Sequence, residues 1–260
     1  MQPRTHPRLH ASFSLQTTVC HAMNGYHIPE HVHLAIEGDA AVFMDLRLDE
    51  YRMLFGTQAR AFHSLLTSSR NGFARDITVD GPLQDLSLDE VLADLLANKL
   101  LQPGLQGSIS ALCPSIPLPA EELLDDQVAG PLNMRATDVH RFFVACLVAR
   151  WRLRYTSIES TVASVAGLRR REVGTNCVWP AARRLVRIYN ALRPLFLQRT
   201  KCLFDSLSLI QFLATYNCLP QWVFAIRLEP WAAHCWVQMD KVAFNQDVED
   251  ARTYLPIFIV

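Results

Sequence analysis

No uncharged apolar run in this 260-residue chain reaches the roughly 18 to 20 residues that a membrane-spanning helix needs. Its most apolar stretch, "FFVACLVARWRLRY", is cut by Arg150. The residues before Met23 hold no continuous apolar segment either, which argues against a secretory signal, so a soluble, cytoplasmic protein is expected. The seven cysteines are odd in number and no two form a CxxC, which points to neither a disulfide framework nor a zinc knuckle. In a reducing compartment each is first of all a small buried hydrophobe. There is no GxxxxGK followed by Ser or Thr, hence no phosphate-cradling P-loop. Net charge is zero too, but the zero hides an asymmetry: residues 23–110 are net −6 and residues 134–260 net +8. Opposite halves suit two units docked on each other, or a basic face for an acidic partner.

Half of the residues are hydrophobic, enough for a sizeable core and too many for a chain disordered throughout. Residues 1–22, rich in His, Pro, Ser and Thr, read as a disordered tail or as lying upstream of the real start. From His31, "HVHLAIEGDAAVFMDLRLDEYRMLF" holds three short strand-like runs separated by Gly38-Asp39 and Leu48-Asp49, a three-stranded meander. Helical spacing follows at Ala59, Phe62, Leu65 and Leu66. "LSLDEVLADLLANKLLQPG" is a helix with a Ser87/Glu90 capping box, an apolar stripe through Leu88, Val91, Leu92, Leu95 and Leu96 that is expected to face a core, and a stop at Pro103-Gly104. Together these make a small winged-helix-like α+β unit over residues 23–105. Residues 106–133, with their prolines and acidic patch, read as a linker.

The second unit, residues 134–260, opens with helices. One starts at a Thr137 or Asp138 cap, one at Ser157, and one runs from Pro180 at N1 to Pro194. Arg169, Arg170 and Arg171 read as a solvated helix end favoured by the macrodipole, ahead of a nucleic-acid patch. "TKCLFDSLSLIQFLATYN" is a helix with Cys202 in its first turn. "LPQWVFAIRLEP", "AAHCWVQM" and "KVAFN" are three successive strands.

A thiol attacks as thiolate, and a helix N-terminus or a neighbouring imidazolium lowers its pKa. Cys202 has the first by position. For the second, His140 and His234 lie near core-forming elements of its own unit, and His63 lies in the first unit. His234 shares a strand face with Trp236 and Gln238, while Cys235 takes the opposite face and reads as packing. A Cys-initiated helix against an antiparallel sheet that carries His is the arrangement of papain-like and transglutaminase-like enzymes. A buried core histidine is the alternative reading of the same residues.

One resemblance bears on that choice. The run Cys202, Leu203, Ser206, Leu207, Ile226, Arg227, Pro230, Trp231, Ala233, His234, Trp236, Val237, Asn245, Tyr254 and Pro256 closely resembles the leader peptidase of lasso-peptide biosynthesis, the B protein. The N-terminal runs "VFMDLRLDEYRMLFGTQARAFHSLL" and "SLDEVLADLLANKLL" are similar to the precursor-peptide recognition element fused to that peptidase in many lasso systems. The resemblance implies an α+β chain: a winged-helix-like recognition domain followed by a transglutaminase/papain-like cysteine-protease domain. It implies a hydrolase of ribosomal-peptide maturation, with Cys202 as nucleophile and His234 as base and acid.

The family's third group, an Asp directly after the Asn, is here Gln246, with Asp247 one place later. Both are candidates, and Asn245 is a third. The leader is expected to add as a strand near Tyr51, Arg52, Met53 and Leu54, beside Leu92 and Leu96; ordinary core packing is the alternative for these residues. The family also implies a partner cyclase resembling asparagine synthetase. ATP belongs to that system, with no cofactor, metal or nucleotide site expected in this chain. Rival readings are an acyl-transferring enzyme on the same fold and a non-enzymatic winged-helix regulator binding nucleic acid near Arg169. The acidity of the first unit opposes the latter.

Overall fold

A computed structural model of the chain describes residues 26–68, 88–103, 118–123, 132–171, 178–197 and 201–260. Strands β2 (Val32–Glu37), β3 (Ala40–Asp45) and β4 (Glu50–Phe55) form the expected antiparallel meander, in the order β2-β3-β4. Glu37 pairs with Ala40, and Gly38 takes φ +54° in the two-residue turn between them, a conformation that favours glycine. At the second turn Asp45 Oδ1 accepts from the backbone N–H groups of Arg47 and Leu48.

Alternation along these strands separates two cores. Leu34, Ala41, Phe43 and Leu54 face helices α1 (Thr57–Ser68) and α2 (Leu88–Ala97), where Phe62, Val91 and Leu95 close the cluster. Ala35, Val42, Met44, Tyr51 and Met53 point the other way and join the main core built by the C-terminal half. The meander is therefore a layer covered on both faces, which explains why every residue of β3 is buried. The Ser87 cap expected for α2 lies outside the described residues. That helix ends at Ala97, with Lys99 left-handed at φ +58°, short of the expected stop. Pro103 instead pairs with Tyr26, in strands β5 (Gln102–Pro103) and β1 (Tyr26–His27).

Part of the expected linker is structured. Glu121–Glu122 forms β6, paired in parallel with β9 (Val242–Ala243). Helices α3 (Ala136–Tyr155), α4 (Ile158–Arg171) and α5 (Trp179–Leu192) follow. Asp138 is the third residue of α3 and not its cap. Its carboxylate accepts from the Arg135 backbone N–H at 2.9 Å and from Arg184 at 2.9 Å, while Tyr216 donates to its other oxygen. Arg169 is not a solvated charge: its guanidinium donates to the Val260 carbonyl at 2.6 Å.

Helix α6 (Cys202–Ala214) is central. Phe204, Ser206, Leu207, Ser208, Leu209, Ile210, Phe212 and Leu213 are all buried, so the helix is enclosed on every side. Its two buried hydroxyls are satisfied, Ser208 by the Phe204 carbonyl at 2.7 Å and by Tyr189, and Ser206 by the Cys235 carbonyl at 3.1 Å.

Beside α6 lies a sheet of order β10-β7-β8-β9-β6, with β7 (Gln221–Arg227), β8 (Ala232–Met239) and β10 (Leu255–Ile259) antiparallel to their neighbours. The tail that follows Tyr254 forms β10, a strand that its proline concealed. A short helix α7 (Val248–Ala251) precedes it. The layers meet where the His33 ring of β2 stacks on Phe258 of β10, centroids 3.7 Å apart.

Cys218 is disulfide-bonded, a departure from seven independent thiols, whereas Cys146, Cys202 and Cys235 are free. Among the described residues, no helix is long and apolar enough to cross a membrane.

Leu207, wholly buried in the main core, tests the packing of α6. Leu207→Ala is expected to lower unfolding stability by about 2–5 kcal/mol, read as a lower urea midpoint.

Candidate active site

The site grows out of a missing strand. β9 pairs with β8 at Gln238 and Met239 and the Phe244 N–H still reaches the Val237 carbonyl at 2.9 Å, so the outer edge of β8 is open from the Val237 N–H back toward its start. Backbone groups on that edge need partners. At Val237 the N–H is taken by Asn245 Oδ1 at 2.8 Å. At Cys235 the partners come from α6: Ser206 Oγ donates to the carbonyl, and the sulfur of Cys202 accepts the N–H. Cys202 and Ser206 stand four residues apart and so lie on one helix face. The first turn of α6 thus docks edge-on against a single residue of β8, and the thiol sits beside the strand rather than above it.

This placement brings Cys202 to residues from both faces of the strand. His234 and Cys235 point to opposite faces, as their adjacency demands, yet each hydrogen-bonds the sulfur at the edge. Cys235 is therefore more than packing. Its own thiol is wholly buried, which pushes its pKa well up and keeps it protonated, beside the Cys202 sulfur and with its S–H 3.8 Å from Ser206 Oγ.

Cys202 is held well below the ordinary thiol range. The hydrogen bond from the Cys235 thiol contributes most; burial opposes it, and the bond and charge of His234 and the Cys235 backbone N–H add to the lowering. Cys202 is also the first residue of α6, after Lys201 at the N-cap, which provides no side-chain cap. Uncapped N–H groups of a first turn favour a negative charge there.

Burial by itself would lower the pKa of His234. The bonds to Cys202 and Gln246, together with the charges of Cys202 and Asp250, reverse this and raise it. Nε2 of the ring lies 2.5 Å from Gln246 Oε1. An amide oxygen only accepts, so Nε2 carries the proton and Nδ1 is left for the sulfur. The opposed shifts describe a thiolate–imidazolium pair.

Of the three residues considered for the third position, only Gln246 meets the imidazole. Asp247 accepts from the Asp250 backbone N–H at 2.9 Å as the N-cap of α7 and is exposed, so the bulge that would have turned it toward His234 does not form. Asn245 supports the strand edge, with its Nδ2 donating to Ser206 Oγ at 3.1 Å. Asp250, which sequence reasoning passed over, accepts from Gln246 Nε2 and lies 3.7 Å from Arg227 Nη1. Tyr254 completes the surroundings, its ring 5.2 Å from that of His234 and under the Arg227 guanidinium at 4.8 Å. An Asp at i+4 from Gln246 on a short helix was the available signal for Asp250.

The expected binding residues divide by face. Tyr51 reaches the cluster: its ring meets Trp231 edge-on at 5.6 Å. Burial raises its phenol pKa, and the nearby Cys235, Asp49 and Cys202 raise it further. Met53 packs on the main core beside it. Arg52 turns away to Asp94 of α2 at 3.7 Å, Leu54 is buried against α1 and α2, and Leu92 and Leu96 are half-buried in that same cluster. An open groove of about 900 Å³ is lined by Asp49, Leu147, Arg150, Trp151, Lys201 and Leu203, and neither Cys202 nor His234 lines it. Among the described residues no group of three or more His, Cys, Asp or Glu side chains is arranged to hold a metal ion.

Residues 143–259 match the model of the transglutaminase-like superfamily. This domain contains Cys202, His234 and Gln246, and it fits a cysteine protease or an acyltransferase. No curated protein and no solved structure matches the chain. The expected transglutaminase-like domain is thus present, and the match does not extend to the meander or to α1 and α2.

The pair predicts selective chemistry. At pH about 6, iodoacetamide is expected to label Cys202 before Cys146 and Cys235, whose thiols burial raises. His234→Ala is expected to suppress that labelling, as read by mass spectrometry of the Cys202 peptide.

Proposed function

We propose that this chain is a cysteine peptidase of transglutaminase-like type that binds the leader of a ribosomally made lasso-peptide precursor and cleaves it from the core. One observation carries the chemical half of that reading: Cys202 stands at the start of a helix and in contact with an imidazole that a third side chain orients. The lasso half rests on the residue pattern from Cys202 to Pro256.

The Cys202 thiolate adds to the carbonyl carbon of the scissile bond, and the C–N bond breaks as His234 gives its Nδ1 proton to the departing amine. Acyl-enzyme and free core amine result. His234, now neutral, takes a proton from water as the water oxygen attacks the thioester. The C–S bond breaks, the leader leaves as a carboxylic acid and the ion pair is restored. The backbone N–H of Cys202, at the first position of α6, is the oxyanion donor in this scheme.

Substrate binding draws on the N-terminal half. Strand β4 is the last of its sheet and pairs only on one side among the described residues, so an extended leader can add to it. Tyr51 on that strand is also a wall of the catalytic cluster, so a peptide on β4 is delivered next to Cys202. In this reading residues 23–105 are the winged-helix-like recognition domain, 106–133 the connection and 134–260 the peptidase. The freed amine passes to an ATP-using cyclase resembling asparagine synthetase. The Arg169 bond to Val260 speaks against the nucleic-acid alternative.

Mass spectrometry of purified protein with precursor tests the reading. Free leader and core are expected. Cys202→Ala and His234→Ala are each expected to reduce cleavage by about 10³-fold or more. An amine adduct of the leader in place of the free acid would mean acyl transfer, and undiminished cleavage by either variant would remove that residue from the mechanism.

A further inference from the structure

We infer that Asp250 is the positioning residue of this site, supplying through the Gln246 amide the carboxylate that does not touch the imidazole directly. The inference rests on the thiol–imidazole reading above and extends it by one residue.

A primary amide has nearly the same shape at both ends, so packing alone does not decide which end faces His234. The ends differ in chemistry. With Oε1 toward the ring, Nε2 of His234 donates and the imidazolium is allowed; with the NH₂ group toward it, two donors would oppose each other and only a neutral ring would fit. Asp250 breaks the tie. An ionised carboxylate only accepts, so it claims the NH₂ group of Gln246 and leaves Oε1 for the ring.

Asp250 is itself fixed. Its backbone N–H is held by Asp247 Oδ1 at 2.9 Å, and its carboxylate faces Arg227 Nη1 at 3.7 Å. The neighbouring carboxylates have other partners: Asp247 caps α7, and Glu249 accepts from Arg252 at 2.9 Å. The titratable and charged groups around His234 are Cys202 of α6, Cys235 of β8, Asp250 of α7, Arg227 of β7, Tyr254 before β10 and Tyr51 of β4. Of these, Cys202 and Asp250 carry the negative charge that favours the imidazolium.

The test is a four-member cycle of the full chain, Asp250→Asn in the native and in the Gln246→Glu backgrounds. The rate of Cys202 alkylation by iodoacetamide is followed against pH, with precursor turnover in parallel. In the native background Asp250→Asn is expected to move the upper limb of the alkylation profile to lower pH, because imidazolium support is lost. It is expected to lower kcat by about 10- to 100-fold with little change in KM.

In the Gln246→Glu background the sign reverses. There two adjacent carboxylates would share one proton, leaving the introduced Glu side chain partly neutral against the ring; Asp250→Asn lets it ionise fully and is expected to raise the rate and move the limb upward. A purely structural Asp250 would give equal losses in both backgrounds and an unmoved limb, and that result overturns the inference. Absence of any low-pH alkylation of Cys202 in the unaltered chain would instead overturn the ion-pair reading beneath it, so the two failures are distinguishable.

Discussion

Everything at this site depends on an unpaired position in a β-ladder. β9 leaves β8 after two residues, and the backbone of Cys235 would otherwise present a donor and an acceptor to a half-buried edge, at a cost of about 1–3 kcal/mol for each unsatisfied group. Cys202 and Ser206 answer both. The requirement that closes the ladder also sets the sulfur at the level of the strand, where one side chain from each face of β8 can reach it. Moving α6 by one residue along the strand would break both bonds together. The enclosed character of α6 resists that shift, because every face of the helix packs.

That geometry explains how the site obtains a thiolate. The Cys235 N–H and the His234 ring both turn to one sulfur, and the Cys235 thiol, within reach of Ser206 Oγ at 3.8 Å, lies beside it. Each stabilises the anion, and burial of the site strengthens them because less water competes. The gain is bounded. Nucleophilicity falls as thiol pKa falls, with a Brønsted slope of about 0.4–0.5, so lowering the pKa past the working pH weakens attack without adding thiolate. An ion pair with His234 still serves below that point, since the same imidazolium is the acid that a departing group requires. The meander adds the remaining wall. Tyr51 projects from the face of β4 that packs on the main core, so the N-terminal sheet borders the reacting atoms rather than serving only as a tethered handle.

Periodicity made much of this legible. The meander, α6 with Cys202 in its first turn, and the strand bearing His234 all follow from local patterns strong enough to survive folding, and a transglutaminase-like domain follows from their order. What escaped was set by contacts between elements distant in the chain. β6 is two residues within a Pro-rich segment and exists only because β9 needs a partner. β10 hides behind a proline tolerated on an edge strand. Alternation puts Cys235 opposite His234 and makes it read as packing. That reasoning is correct for a nucleophile lying above a sheet and fails for one lying at its edge. The choice among Asn245, Gln246 and Asp247 depends on where α7 begins, and Asp247 begins it: a residue committed to an N-cap is not available to a ring behind it.

The amide at the third position changes the electrostatics as well as the geometry. A carboxylate in direct contact with the ring would stabilise the imidazolium by a short charge–charge interaction, whereas the Asp250 charge acts across the length of an amide and is partly neutralised by Arg227. The raised pKa of His234 accordingly owes more to its bonds with Cys202 and Gln246 than to Asp250. This distribution suits a ring that alternates between acid and base. Protonation is favoured while the sulfur is anionic, and once the sulfur is acylated the largest stabilising partner is gone. A neutral imidazole then stands ready to take a proton from the incoming nucleophile, with its orientation still held through Gln246. A direct carboxylate would hold the proton more firmly at that second step.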